Sequence, residues 1–242
     1  MSLRLGLLGR GRLGSAIRAA AEAEPRVKLV WQIGRETPPA DPVDVAIDAS
    51  HADAVAGHLD WALTHGIALV IGVTGWQQGD LAAKVGQRCG VMVAPNFSLT
   101  VALLGRLSLI LGRYATLTGG DPYLIEHHHR AKADAPSGTA LRLAAQIMLG
   151  CPRKREAVLG SPRPEQLSIG VVRAGSEFGM HLVGVDWPEE VVELRHTARS
   201  RAVFGTGAVR AALWLHGKRG LFHFDDLAAE LLDPLFHLGA RP

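Results

Sequence analysis

The sequence predicts an α/β protein, with an N-terminal doubly wound parallel sheet and a central α+β part built on an open mixed sheet. Three observations carry this. Residues 1–99 alternate short apolar runs with helical patterns, the signature of βαβ units. Residues 169–198 then run strand after strand with turns and no helices between them. From residue 202 helical periodicity returns.

The elements follow in order. Leu3–Leu8, Val27–Ile33 and the runs 43–48, 68–73 and 91–94 are rich in Val, Leu and Ile and read as buried strands. Residues 13–24 and Ala52–His65 carry apolar side chains at helical spacing and end at breakers, Pro25 and Gly66. Beyond Asn96 come a helix over about 100–114, a strand leading into 126–129 and a helix opened by Ser137. A loop punctuated by Pro152, Pro162 and Pro164 precedes strands at 169–174, 179–185 and 191–198. Helices run from 202 through Trp214 and over 225–232. No internal repeat and no low-complexity stretch interrupts the chain.

With 242 residues, 48% of them hydrophobic and 20% charged, the chain can bury one large core or two modest ones. Two cysteines, Cys89 and Cys151, form no disulfide framework and no C-x-x-C pair, so a reducing compartment, the cytoplasm, is expected. Residues 1–14 lack the apolar core of a signal peptide, and about 18 charge-free apolar residues never run together, so neither export nor a membrane is expected. The net charge of +3 is scattered, with one short cluster at Arg153-Lys154-Arg155, which argues against a nucleic-acid partner and fits a small acidic metabolite.

Gly9-Arg10-Gly11-Arg12-Leu13-Gly14 follows the first strand and opens the first helix, the context that a Gly-x-Gly-x-x-Gly dinucleotide fingerprint requires. Gly9 permits the tight turn, Gly11 lets the backbone approach a pyrophosphate, and Gly14 lets helix pack on strand. The helix N-terminus then offers N–H groups and the positive end of its dipole to the phosphates. At the end of the second strand, where NAD-selective sites place an acidic residue, stands Gly34-Arg35. Arg35 suits a 2'-phosphate, the alternative being a solvated loop residue. Arg10 and Arg12 add cationic reach, so NADPH is expected ahead of NADH.

The densest polar stretch runs from Glu126 to Ala140. A histidine there can hold or give a proton near neutrality, and an ammonium a few residues on can neutralise an anion. Ser137-Gly138-Thr139 then opens a helix whose hydroxyls and N–H groups would hold a carboxylate. Only five lysines occur in the chain, which sets Lys132 apart from a lysine-rich surface. The run His127-His128-His129 is not read as a metal site, because consecutive strand residues alternate faces. Taken singly, Ser137 is an N-cap and Asp134-Ala135-Pro136 a turn; together the stretch reads as an anion site beside a proton donor.

This stretch, E-x-H-H-x-x-K-x-D-A-P-S-G-T-A over Glu126 to Ala140, resembles that of the 4-hydroxy-tetrahydrodipicolinate reductase (dihydrodipicolinate reductase) family of the diaminopimelate route to lysine. Further family-like segments follow in order: residues 70–75, Ala94-Pro95-Asn96-Phe97-Ser98, Arg173-Ala174-Gly175, Gly179-Met180-His181, and Ser200-Arg201 leading to 207–210. The resemblance implies an NAD(P)H-dependent oxidoreductase in which His128 is the acid/base and Lys132 binds and polarises the substrate. His129, Ser137, Gly138, Thr139 and Arg201 hold its two carboxylates, and Gly72, Val73, Thr74, Ala94, Pro95, Asn96 and Phe97 surround the nicotinamide. It also implies a dinucleotide-binding domain of residues 1–99 and 202–242, a substrate-binding and oligomerisation domain of 100–201, and a homotetramer.

The chain departs from the family pattern in three places. Its glycine turn is one residue shorter than the usual Gly-x-x-Gly-x-x-Gly. Gly34 stands where an acidic residue is common, which favours NADPH. Val73 stands where threonine is frequent. Two other functions are compatible with parts of the pattern: an aspartate-type amino-acid dehydrogenase, and a non-catalytic sensor of NADP(H).

Overall fold

Strand β1 (Leu3–Leu8) is buried along most of its length because Leu-Arg-Leu-Gly-Leu-Leu offers apolar side chains to both faces, as a strand covered on both sides must. It lies between β2 (Val27–Ile33) and β3 (Val45–Asp48), and pairs in parallel with both. With β4 (Ala68–Ile71), β5 (Gly90–Val93) and β11 (Gly220–His223) it makes a six-stranded parallel sheet in the order β11-β5-β4-β3-β1-β2. The strand order reverses at β1, and ligands of such sheets bind at the carboxyl ends of the strands near that switch point. The computed structural model describes residues 2–76 and 79–236; Met1 and residues 237–242, which the expected first domain includes, lie outside the described residues.

The chain divides into two compact units, residues 1–98 with 201–242, and 99–200. Leu99 thus falls in the second unit and Arg201 in the first, one residue away from the expected boundary at each junction.

In the first unit, helices α1 (Arg12–Ala23), α2 (Ala52–His65), α3 (Leu81–Val85), α6 (Ala202–Leu215) and α7 (Phe224–Leu232) cover the sheet. Its core includes Leu8, Trp31, Ile33, Val55, Leu59, Leu69, Ile71 and Val91. Glycine allows α6 to approach α1 closely, since a Cβ at Gly205 would collide with the carbonyl of Ala16.

In the second unit, β6 (Asp121–His128), β7 (Glu156–Leu159), β8 (Gln166–Arg173), β9 (Met180–Asp186) and β10 (Val191–Thr197) form a mixed sheet in the order β10-β9-β6-β8-β7. Helices α4 (Leu99–Thr118) and α5 (Gly138–Gly150) pack with it around Leu104, Leu124, Leu143, Ile147, Leu167, Ile169 and Val183. By length and composition α4 could cross a membrane. It carries Arg106 and Arg113, however, and its buried Leu104, Ser108, Gly112 and Ala115 recur every three or four residues, the spacing of one helix face. A Cβ at Gly112 would meet the carbonyl of Ile147, so α4 and α5 approach each other backbone to backbone.

Besides a 3-10 turn at Asp233–Phe236, three elements go beyond those expected. Strand β7 lies inside the proline-bounded loop; its Glu-Ala-Val-Leu carries no strong alternation, and pairing with β8 makes it a strand. Strand β11 is four residues long and forms where the edge of β5 receives it. Helix α3 is a single turn and a half, capped by Asp80, whose Oδ1 accepts from Ala83 N at 3.0 Å.

Candidate active site

The glycine turn after β1 is built as its spacing demands. Gly9 takes φ +116, its N–H donates to Ile33 O at 2.8 Å, and a Cβ there would strike the carbonyl of Ala49. A Cβ at Gly14 would strike the carbonyl of Gly9, the close helix–strand approach assigned to the third glycine. At Gly11, the residue preceding α1, an added Cβ meets no protein atom. No side chain caps α1, so the backbone N–H groups of its first turn, at Arg12, Leu13 and Gly14, lack a side-chain capping partner. An open approach to an uncapped helix N-terminus fits a pyrophosphate.

The other nucleotide-side candidates lie on the same rim of this unit. Arg35 follows β2; Gly72, Val73 and Thr74 follow β4; Ala94, Pro95 and Asn96 follow β5. Backbone bonds tie these ends together: Gly72 N donates to Asp48 O at 2.8 Å and Ala94 N to Ile71 O at 2.9 Å. Phe97 is a buried wedge, its ring edge-on to Phe224 with centroids 5.9 Å apart, and a Cβ at Gly72 would run into that ring. Arg201, expected beside the substrate carboxylates, precedes α6 in this unit, where its carbonyl accepts from Phe204 N at 3.0 Å.

Sequence reasoning passed over Glu36 on this rim. Its Oε1 lies 2.9 Å from Arg10 Nη1, and its Oε2 accepts the N–H of Gly34. A carboxylate two residues downstream is therefore folded back to the position where the acidic side chain is absent.

In the second unit, strand periodicity places the chemistry. Along β6, Pro122, Leu124, Glu126 and His128 are buried and share one face, while His127 points the other way and its Nε2 lies 3.1 Å from Ala174 O. The histidine run is thus split. His129 lies just past the strand, with its N–H donating to Glu177 O at 2.8 Å.

At the centre of the buried face is Glu126, fully enclosed. Its Oε1 accepts from Arg173 Nη2 at 2.7 Å and from Ser137 N at 2.9 Å. Its Oε2 lies 3.4 Å from His128 Nδ1 and 3.6 Å from His181 Nε2. Ser137 caps α5, its Oγ accepting from Ala140 N at 3.1 Å, so the strand carrying His128 is tied to the helix N-terminus carrying Gly138 and Thr139. A Cβ at Gly138 meets nothing within 4 Å, which leaves the approach to that N-terminus open. Lys132 Nζ sits 2.7 Å from Asp134 Oδ1 on the connecting loop.

Burial alone would push the Glu126 carboxyl up. His181 facing it, together with the donors Ser137 and Arg173, outweighs that and holds it well below the ordinary carboxylate range, so it is an anion. His128 is pulled down to about 4, first by burial and then by the charge of His181, with Glu126 opposing and Lys132 and Arg173 adding to the fall. The ligand atoms of Glu126, His128 and His181 lie within 4.8 Å of one another, a grouping that no linear motif announces. Here the positive charge beside the carboxylate is already supplied by Arg173. Glu126, Arg173, His181 and Asp134 are the residues of this unit to which sequence reasoning gave no role. All of them had a signal, since each stands in a family-like segment.

The comparisons with known proteins bear on both units. The family model "Dihydrodipicolinate reductase, N-terminus" matches residues 36–97, and "Dihydrodipicolinate reductase, C-terminus" matches 100–228. A 4-hydroxy-tetrahydrodipicolinate reductase of Laribacter hongkongensis is 35% identical, over 93% of this chain and 97% of its own length. One of Caldanaerobacter subterraneus is 34% identical, over 94% and 98%. The structure of a dipicolinate-bound dihydrodipicolinate reductase from Paenisporosarcina superposes with a TM-score of 0.77 at 22% identity, over 92% of this chain and 98% of that one, and so shares the fold. On the family matches and on identities sustained over nearly the whole length, the chain belongs to the 4-hydroxy-tetrahydrodipicolinate reductase family.

Proposed function

We propose that the protein reduces 4-hydroxy-tetrahydrodipicolinate to tetrahydrodipicolinate in the diaminopimelate route to lysine, using NADPH in preference to NADH. The observation that carries this reading is the arrangement in the second unit. One carboxylate, Glu126, bonds the start of an approachable helix N-terminus and faces a buried imidazole, His128, while the ammonium of Lys132 stands on the connecting loop, paired with Asp134. Such a site matches a dianionic substrate that must also receive a proton. Neither an aspartate-type dehydrogenase nor a non-catalytic sensor accounts for the whole constellation.

The N–H groups at the start of α1, approached across Gly11, hold the pyrophosphate, and Arg35, with Arg10 and Arg12, meets a 2'-phosphate. Gly72, Val73 and Thr74 with Ala94, Pro95, Asn96 and Phe97 form the walls around the nicotinamide. The reduced nicotinamide, when bound, supplies a hydride to C4 of the substrate ring after the 4-hydroxyl has left as water. Lys132 exchanges Asp134 for the substrate and polarises it. His129, Ser137, Gly138, Thr139 and Arg201 hold the two carboxylates. His128 gives a proton to the carbon next to the reduced one.

Two further expectations go with this reading. The two cysteines, both free and buried, suit the cytoplasm. Assembly into a homotetramer through the sheet of the second unit is supported by exposed Val172, Val191 and Val192. The decisive assay gives purified protein freshly prepared 4-hydroxy-tetrahydrodipicolinate and follows the loss of reduced-nicotinamide absorbance. Turnover with NADPH is expected, and no turnover with either nicotinamide rejects the reading.

A further inference from the structure

Glu126 has two oxygens with different work. Oε1 is committed twice, to Arg173 Nη2 at 2.7 Å and Ser137 N at 2.9 Å, which fixes the plane of the carboxylate. Oε2 is buried without a hydrogen bond and points at the histidines. Nδ1 of His128 is likewise buried without a hydrogen bond, and the two atoms are 3.4 Å apart. An aligned bond between such groups is about 2.7–2.9 Å, and catalytic hydrogen bonds are often long before the ligand arrives. His181 Nε2, 3.6 Å from the same oxygen, has Ser137 Oγ at 3.4 Å as another neighbour. For His128 Nδ1, Glu126 Oε2 is the acceptor at hand. The opposite ring nitrogen, Nε2, faces Gly179, where a Cβ would come within 3.1 Å of it, so glycine keeps that space clear.

We propose that Glu126 is the positioning residue of the acid/base: its Oε2 holds the Nδ1 proton of His128, fixing the ring so that Nε2 carries the proton that leaves. This rests on the reductase reading above. In the step, the Nε2–H bond of the imidazolium breaks as a C–H bond forms on the substrate carbon beside the reduced one. The imidazolium becomes neutral imidazole, Nδ1 keeps its proton on Glu126, and water reloads Nε2. The anion is needed because the other charged groups work against the imidazolium. Lys132 on the following loop, Arg173 on β8 and His181 on β9 all face His128 and oppose its charge, and His196 on β10 is pressed below its ordinary value by burial and then by His181. Among these groups Glu126 alone favours the charged ring.

The test compares wild type with Glu126→Gln. The amide keeps an oxygen for Arg173 and Ser137 but replaces Oε2 with a group that cannot accept the Nδ1 proton. The expected result is a kcat about 100-fold lower near neutrality, with KM and the NADPH dissociation constant within about threefold. The alkaline limb of the kcat profile is expected to move about one unit lower, so activity partly returns on acidification. A purely structural carboxylate would lower the melting temperature and leave that limb in place. Wild-type kcat and pH profile in the variant overturn the proposal. Nitrogen-15 spectra of histidine-labelled wild type give a second readout that needs neither a folded variant nor turnover. Neutral His128 protonated on Nδ1 supports the proposal, and protonation on Nε2 overturns it. Absence of turnover in the wild type, with the Nδ1 tautomer found, rejects the reductase reading and leaves the pairing standing.

Discussion

Ser137 N donates to Glu126 Oε1 across 2.9 Å, joining residues eleven apart in the chain. That bond fastens the end of β6, with His128, to the start of α5, with Gly138 and Thr139. His128 and the N-terminus of α5 are therefore joined by a direct bond between their elements as well as by the loop that connects them.

Lys132→Ala is expected to lower kcat by roughly 100-fold or more, the loss of a few kcal/mol of transition-state stabilisation. Steady-state kinetics with the natural substrate check this. Near-wild-type kcat would remove the ammonium from the chemistry.

Binding of a planar dicarboxylate such as pyridine-2,6-dicarboxylate is expected to take up protons between about pH 5 and 7. In the free protein His128 is held down to about 4, and two carboxylates arriving beside it favour the charged ring. Calorimetry in buffers of different ionisation enthalpy reads the uptake directly. The same binding enthalpy in every buffer would contradict it, and His128→Asn should abolish most of it.

Acidification is expected to destabilise the second unit through His128. With the folded value of His128 below its ordinary 6.5, the unfolded chain binds more protons between about 6.5 and 4, so stability falls as pH drops through that window. The full effect is on the order of 3 kcal/mol. Glu126, held below its ordinary value, adds a loss only at lower pH, as it protonates. Melting temperatures of wild type and His128→Asn from pH 7 to 4.5 should converge as the pH falls. Parallel curves would mean that His128 does not titrate in this window.

Arg35→Ala is expected to weaken NADPH by about 10-fold or more and NADH little, as a lost charge-assisted phosphate contact should. Glu36→Gln should act in the opposite sense. It releases Arg10 from its 2.9 Å partner and removes the carboxylate at the Gly34 N–H, which favours the 2'-phosphate over the ribose hydroxyls. Dissociation constants for both nucleotides decide it. An equal loss for the two in Arg35→Ala would exclude a 2'-phosphate role.

Much of the nucleotide half was legible in the chain because its determinants are local. Gly9, Gly11 and Gly14 owe their places to a turn six residues long, and β1 and β4 announce themselves as short apolar runs. Strand β11 was not legible, since four residues become a strand only where β5 presents an unpaired edge. Glu36 was missed for a related reason: its carboxylate reaches the Gly34 position through a fold-back that spacing does not display.

By itself the sequence determined which groups are present and which segments become strands and helices, since alternation and helical spacing are properties of neighbours in the chain. It also separated His127 from His128, because strand residues alternate. The company that Glu126 keeps was decided only by tertiary structure. Arg173 arrives through the parallel register of β6 and β8, and His181 stands opposite Glu126 in the antiparallel register of β6 and β9. A buried charge must be met by whatever the sheet brings alongside, and sheet registry joins residues some fifty positions apart that no local pattern connects.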